Sequence, residues 1–558
     1  MILRSLGLAF LLLCWLGIYG LCRELAARKQ IHSDWRISWL FACAGWGALL
    51  AFVVELCSSR KMLNAPTLIA AWMTGSVILC GTAGWLAWRR GALGKGRLIS
   101  WRERTVLDWG QNWPLDAKLM LVASAVLVLG QGVIALCTPT TNWDSLVYHL
   151  PRVMHWIQQQ SVEHYPTANT CQLEFAPWPA FVITHLHLLQ GNDRLDNLVQ
   201  WFAMLTCVVV TSFIAQQLVA DRHTETTSNQ AHLAPASVQR RITALTCLLV
   251  TTLPIGLVES ITTQTDYVVT CWFACLTCMA IALWNDPANI WYALGAGLAL
   301  ALGVFSKATM VIYAAPIGLA ISIGALVRLP NNRLRLRLAL VLVIAFLAIN
   351  TPHLMRNHAV FGSALASKEI LFVERNKTIS LAGTCSNLIR NLVLESNSGI
   401  VPLTIWVNNC LLWLHTLTGK DLNDPDTTFP SGRFFTPRGF FLYDSTAGSF
   451  YHLLAICTAG MLALRNRKKN LVLLVYALTI GSGFLLFCMF LRWQQWHSRI
   501  HLAWLVLLAP WVSVVLTTKA PRWSCHTAGA VVWVFAIYCI FNNSSRPFLE
   551  RGWFEQPR

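Results

Sequence analysis

A handful of ionisable residues in this chain stand where apolar sequence gives way to polar sequence. In Thr141-Asn142-Trp143-Asp144-Ser145-Leu146-Val147-Tyr148-His149-Leu150-Pro151-Arg152, a carboxylate follows directly on an apolar stretch. Asp144, Tyr148 and Arg152 recur every four residues and share one helix face if the kink at Pro151 is mild. Asp144 reads either as an N-cap that accepts a backbone N–H or as a carboxylate beside a basic residue, placed as a general base; one residue can do both. Asp266 closes a second polar insert, Glu259-Ser260-Ile261-Thr262-Thr263-Gln264-Thr265-Asp266, and has the same two readings. Lys307 interrupts apolar sequence in Gly303-Val304-Phe305-Ser306-Lys307. A lysine near hydrocarbon snorkels or meets an anion. Arg356, in Asn350-Thr351-Pro352-His353-Leu354-Met355-Arg356-Asn357, can grip a phosphate bidentately. Asp444, with His452 downstream, is either an acceptor-binding residue or a loop–helix cap. His497 and Arg499 lie in the segment from Leu491 to Leu502 that joins two apolar stretches.

The surroundings of these residues limit what they can do. The 558 residues are 55% hydrophobic and 12% charged, with a mean hydropathy of +0.52. A soluble domain of average composition carries about 25% charged residues, so lipid is the main solvent of this chain. Apolar stretches of the roughly 20 residues needed to cross a bilayer lie near 3–22, 36–56, 66–88, 117–137, 194–219, 242–258, 267–284, 289–305, 309–327, 338–354, 448–464, 471–491, 500–517 and 527–541. They predict an all-α, polytopic transmembrane helix bundle of about fourteen spans. Residues 1–22 lack a persuasive cleavage site and lead into further spans, so they read as a helix, not a signal peptide. The 43 Lys and Arg against 25 Asp and Glu give +18, a balance that in a soluble chain points to nucleic acid. Here the basic residues gather between spans, at Arg89-Arg90, Lys95 to Arg104, Arg240-Arg241, Arg328 to Arg337 and Arg465 to Lys469. That is the positive-inside pattern, with membrane lipids and not nucleic acid as the partner. The 18 cysteines lie mostly in apolar stretches, where Cys behaves as a small hydrophobe; whether Cys171 and Cys385, in polar loops, pair is open.

Placing the basic tracts inside sends residues 138–193, 259–266, 355–447, 492–499 and the C-terminal tail to the outer face. The candidate residues then share one side. In loop 138–193, Leu146, Leu150, Val153 and Ile157 recur at helical spacing with His149, Arg152, His155 and Gln159 opposite. This segment is expected to lie in the interface as an amphipathic helix, kinked or restarted at Pro151. Segment 177–190, short and marked by Pro and His, is expected at the same interface. Arg492 and Arg499, on an outward hairpin, run against the positive-inside bias and ask for an anionic partner, Arg499 ahead of Arg492. Residues 1–116 carry three extra N-terminal helices and a basic linker, 117–541 form the core with both long outer loops, and 542–558 are a C-terminal tail.

In this order and on this side, the motifs resemble the GT-C glycosyltransferases that use polyprenyl-phosphate sugars, a class that includes protein O-mannosyltransferases and lipid A aminoarabinose transferases. The resemblance covers roughly residues 117–515 and is closest to a bacterial group of GT-C-like membrane proteins. It rests on Asp144 after a span, on Glu174-Phe175-Ala176-Pro177-Trp178-Pro179 leading to the next span, on Lys307, on Arg356-Asn357 with Phe361-Gly362, and on Trp493-Gln494 with Arg499-Ile500-His501-Leu502. It implies a GT-C-like fold in a bacterial inner membrane, with the site facing the periplasm. The implied reaction is inverting transfer of a sugar from a polyprenyl phosphate to a glycan, lipid or protein acceptor. Asp144 stands at the catalytic carboxylate, and Asp266 at a second acidic position that binds metal in some members. A divalent ion on Asp144 and Asp266, and metal-free chemistry using Lys307, Arg356 and Arg499, both stay open. Tyr148, Arg152, Asp444 and His497 join the expected substrate-binding set. Many members have Asp-Glu where this chain has Asp144-Ser145, so the second carboxylate comes from elsewhere or is absent. Two other functions compete: a flippase or transporter of lipid-linked sugars, which would place charges within spans, and a non-catalytic assembly factor for envelope polysaccharide.

Overall fold

The computed structural model describes residues 2–29, 34–91, 113–220, 235–437, 447–543 and 546. Most of the basic linker and of the C-terminal tail, and Asp444, lie outside the described residues. Among the described residues the chain is a bundle of α-helices, and extended backbone pairs only in isolated bridges, Arg375 with Leu491 and Thr428 with Trp493. Eleven helices are long and apolar enough to cross a membrane, and Ile290–Val304 and Phe450–Arg465 are shorter apolar ones. With Ala236–Thr251, these helices account for every stretch read from the sequence as a span.

Helices that are apolar all round belong in the centre of a bundle, and those with one packed face belong at its edge. The apolar stretches of Asp266–Asn285 and Leu502–Lys519 are 83% buried, against 17% for Ala65–Arg89 and 28% for Asn332–Phe361. The middle is therefore Asp266–Asn285, Leu502–Lys519, Leu198–Ala220 and Ala236–Thr251, packed on one another. Of the three N-terminal helices, Ile2–Lys29 packs on Trp35–Ser58 and Ala65–Arg89, and Trp35–Ser58 rests on Ile290–Val304 and Leu198–Ala220.

Four features beyond the spans themselves matter for the site. The run read as one span at 242–258 is broken: Ala236–Thr251 stops and Pro254–Glu259 restarts. Proline has no N–H and its ring clashes with the carbonyl four residues back, but it fits the first turn of a new helix. The polar insert after this helix is buried rather than a surface turn, with Glu259, Ser260, Thr263 and Asp266 at 0–1% exposure. Segment Trp178–Gln190 is a helix covered by the rest of the protein. Phe181, Ile183 and His185 are buried as it packs on Leu150–Gln159 and all three N-terminal helices, which suits a segment apolar on every side. Finally, the second long loop contains Lys368–Glu374, Leu381–Leu394 and Val401–Thr416. Buried Arg390 gathers it, donating to the Leu422 carbonyl at 2.9 Å, to the hydroxyls of Thr428 at 2.7 Å and Thr427 at 2.8 Å, and to Asn387.

Candidate functional site

Four separate connections at one end of the bundle bring acids and bases together. Asp144 comes after Leu115–Cys137, Asp266 opens its own span, Lys307 lies between Ile290–Val304 and Thr309–Arg328, and Arg499 precedes Leu502–Lys519. Each connection is a helix end, where backbone groups lack intrahelical partners and polar side chains are tolerated. Arg499 donates to Asp144 Oδ2 at 2.6 Å, and its Nε lies 4.0 Å from Asp266 Oδ2. Lys307 Nζ donates to the other Asp266 oxygen at 2.6 Å. Gln264 donates to Asp144 Oδ2 at 3.2 Å and Tyr148 donates its hydroxyl to the same carboxylate. Thr263, beside Gln264, donates to Ser145, beside Asp144, which ties the two acid-bearing loops together.

The result is a self-neutralised quartet of two carboxylates and two cations. Asp266 is sealed at 1% side-chain exposure, whereas Asp144, Lys307 and Arg499 keep 17%, 21% and 13%, so the quartet opens along their edge. Burial alone would raise the Asp144 carboxyl, but the charge and hydrogen bond of Arg499 outweigh it and hold the group at about 2. Burial disfavours the Arg499 charge, yet Asp144 and Asp266 more than compensate and keep it firmly protonated. Burial, then the Asp144 charge, push the Tyr148 hydroxyl well above its usual range, so it serves as a donor. Burial and Arg152 push His149 well below its usual range, so the ring beside Tyr148 is neutral.

Of the residues singled out in the sequence, Asp144, Tyr148, Asp266, Lys307 and Arg499 meet here. Others do not. Arg152 donates to the carbonyls of Phe175 at 2.8 Å and Ala176 at 3.2 Å and is fully buried. The reason is a π-helical turn at Ser145–His149, closed by Leu150 N–H on the Ser145 carbonyl, before the α-helix Leu150–Gln159 resumes. One extra residue in a turn rotates the helix beyond it, so Tyr148 stays with Asp144 while Arg152 swings away. Around this turn Leu146 is 54% exposed while His149 and Arg152 are buried against protein. Arg356 is spent elsewhere, in a two-pronged pair with Glu55 of the N-terminal helices at 2.7 and 2.8 Å. His497 is buried, with Nδ1 on Asn391 Oδ1 at 2.9 Å, and supports the site without facing it.

The sequence reading misses the groups that brace Arg499. His501 meets Glu395 at 2.7 Å through Nδ1 and Asn391 at 3.1 Å through Nε2. With His497 on Asn391, the pair fixes the short helix His497–Ile500 that carries Arg499. Glu374 is a further acid near the cluster. Gln494 donates to it at 2.7 Å; burial raises its carboxyl, a shift that Gln494, Lys307, Arg499 and Arg492 offset only in part. Nothing in Leu371-Phe372-Val373-Glu374-Arg375 marks it beforehand. All 18 cysteines, Cys171 and Cys385 included, are free thiols.

The residues present do not suit a resident metal. Among the described residues no group of three or more His, Cys, Asp or Glu converges, and Asp144 and Asp266 each turn an oxygen to a cationic side chain that would have to leave first.

Fold and site together define an all-α, multi-pass membrane protein with a buried acid–base quartet at one end of its bundle. Comparison with known protein families, with curated proteins and with solved structures returned no match.

Proposed function

We propose that the chain is a glycosyltransferase that moves a sugar from a polyprenyl phosphate to an acceptor at the outer face of a bacterial inner membrane. One observation carries this reading: Asp144, Tyr148, Asp266, Lys307 and Arg499, from four distant segments, form one partly open cluster at the end of the bundle away from the basic tracts. A flippase would be expected to place its charges within spans on broken helices, whereas these sit at span ends.

The chemistry arises from the partners that the quartet can exchange. A donor phosphate entering at the open edge meets Arg499 and Lys307, a planar fork and a point charge suited to its oxygens. As Arg499 turns to the phosphate, Asp144 loses its main counter-charge. A carboxylate held at about 2 is a poor base; without Arg499 it moves back toward its ordinary range and becomes a better one. The acceptor oxygen or nitrogen then attacks the anomeric carbon, the bond from that carbon to the phosphate oxygen breaks, and the acceptor proton passes to Asp144. Polyprenyl phosphate leaves with its charge offset by Arg499 and Lys307, and a single displacement inverts the anomeric centre. Asp266, bound to Lys307 and sealed from solvent, orients the lysine.

The test is binding of polyprenyl monophosphate to the purified full-length protein in lipid nanodiscs. Wild type is expected to saturate, and Arg499→Ala or Lys307→Ala to weaken binding by about tenfold or more, as for loss of a charge-assisted hydrogen bond. Affinity indifferent to both changes would remove the donor phosphate from this cluster, and the transferase reading with it.

A further inference from the structure

Arg492 stands in the same connection as Arg499, seven residues earlier, and differs from every other buried arginine described. Arg36 is paired with Asp34, Arg152 with two carbonyls, Arg390 with side-chain and backbone oxygens, and Arg546 with Thr138 and two carbonyls. Arg492 is 1% exposed, and its Nε and Nη2 meet no hydrogen-bond partner among the described residues. Its Cζ lies 5.4 Å from the centre of the Phe372 ring, and the carboxylates of Asp426 and Glu374 act on its charge without a hydrogen bond to Nε or Nη2. A ring face softens the cost of burying the charge but supplies no acceptor oxygens.

The backbone holds the residue firmly. Arg492 N–H donates to the Glu374 carbonyl at 2.9 Å, Asn376 N–H donates to the Phe490 carbonyl at 2.8 Å, and Arg375 bridges Leu491. The arginine is thus fixed against Lys368–Glu374 rather than loose on a surface loop. Glu374 feels Lys307 and Arg499 as well as Arg492, so Arg492 borders the polar region of the quartet. It contacts neither Asp144 nor Asp266, and the one phosphate of a lipid-phosphate sugar is already matched by Arg499 and Lys307.

A held guanidinium with two N–H positions lacking protein acceptors costs stability, and Arg492 alone among the described buried arginines leaves an Nη as well as Nε unmet, so its fork is open to an external anion. We propose that Arg492 is the anion-binding residue of the acceptor subsite, holding a phosphate or carboxylate group carried by the acceptor. Its assignment to the acceptor rests on the proposed transferase activity; the anion site does not. A planar fork over an aromatic face gives such an oxyanion two parallel N–H donors and an apolar floor.

The experiment uses full-length protein in nanodiscs saturated with polyprenyl monophosphate, titrated with glucose 6-phosphate, glucuronate and glucose as probes. Wild type is expected to bind one of the anionic sugars and not glucose; which anion binds decides between phosphate and carboxylate. Arg492→Gln is expected to weaken that binding by about tenfold or more, Arg492→Lys to keep part of it, and both to leave polyprenyl phosphate affinity unchanged. Without ligand, the Tm of Arg492→Gln should equal or exceed that of wild type, because the change removes a buried charge whose Nε and Nη2 no hydrogen bond satisfies. A clearly lower Tm, equal anion binding by Arg492→Gln, or no anion binding by wild type overturns the proposal. Anion binding that depends on Arg492 in a protein that ignores polyprenyl phosphate would sink the transferase reading alone.

Discussion

Asp144 and a lipid phosphate compete for the same guanidinium, and that competition can be measured. In Asp144→Asn, Arg499 loses its direct ion pair, keeps the more distant Asp266 carboxylate at 4.0 Å, and is freer to turn to a phosphate. The variant should lose transfer yet bind polyprenyl phosphate several-fold more tightly than wild type; weaker binding would mean that Asp144 helps hold the donor. Its stability should also lose a pH dependence. The folded-state value of Asp144, about 2, lies below the ordinary carboxylate value of about 3.9. The ion pair therefore stabilises the fold above pH ~4, and its contribution disappears as pH falls toward 2. Wild type and Asp144→Asn should differ in Tm at pH 7 and converge on acidification. Arg356 makes the opposite prediction. Its guanidinium is held by Glu55 at 2.7 and 2.8 Å, so Arg356→Ala should cost about 1–3 kcal/mol in thermal unfolding and leave polyprenyl phosphate binding unchanged.

Helix ends, more than helices, make this site, and their geometry is tight. Gly256, in the short helix Pro254–Glu259, faces the Tyr267 ring and hydroxyl; a Cβ there would collide with the hydroxyl and press on Leu253. Gly256→Ala should cost about 1–3 kcal/mol and displace the start of Asp266–Asn285, so its polyprenyl phosphate binding should fall although no ligand-facing group has changed. A variant with a lowered Tm and normal binding would show that the Asp266 end is insulated from the break at Pro254. The same elements show how much can be read in advance. Asp144, Asp266, Lys307 and Arg499 are legible because each is an ionisable group where an apolar run ends, a place that is costly unless partnered. The span positions are legible for the same reason, hydropathy being nearly sufficient in lipid. Partnerships are not. Glu55 lies 301 residues before Arg356, and no spacing rule connects them. The π turn at Ser145–His149 moves Arg152 off the Asp144 face, and a four-residue repeat gives no sign of it. Pro254 is visible, but apolar sequence on both sides reads as one span. Glu374 and Arg492 come together only because Asn376 and Arg375 pair with the end of Leu471–Phe490.

At the scale of the molecule, charge is sorted between the two ends of the bundle. Arg328 donates to the Trp284 carbonyl at the ends of their spans far from the quartet, and Arg467, Lys468 and Lys469 cap the same end between Phe450–Leu464 and Leu471–Phe490. At the quartet end Lys307 and Arg499 are paired with carboxylates instead. Basic residues resist translocation, so the Arg467 end should face the cytoplasm and the quartet the outside. This orientation carries the donor argument, because nucleotide-activated sugars are made inside and an outward site needs a sugar already carried across on lipid. Glu163, 62% exposed in the first loop, and Arg467, exposed in the opposite connection, are positions at which an added cysteine would report sidedness. In spheroplasts, a membrane-impermeant maleimide should label Glu163→Cys above the background of the parent's own thiols, and label Arg467→Cys only after the membrane is opened. The reverse pattern would place the quartet in the cytoplasm, where nucleotide sugars compete as donors and a lipid phosphate would no longer be the required partner of Arg499 and Lys307.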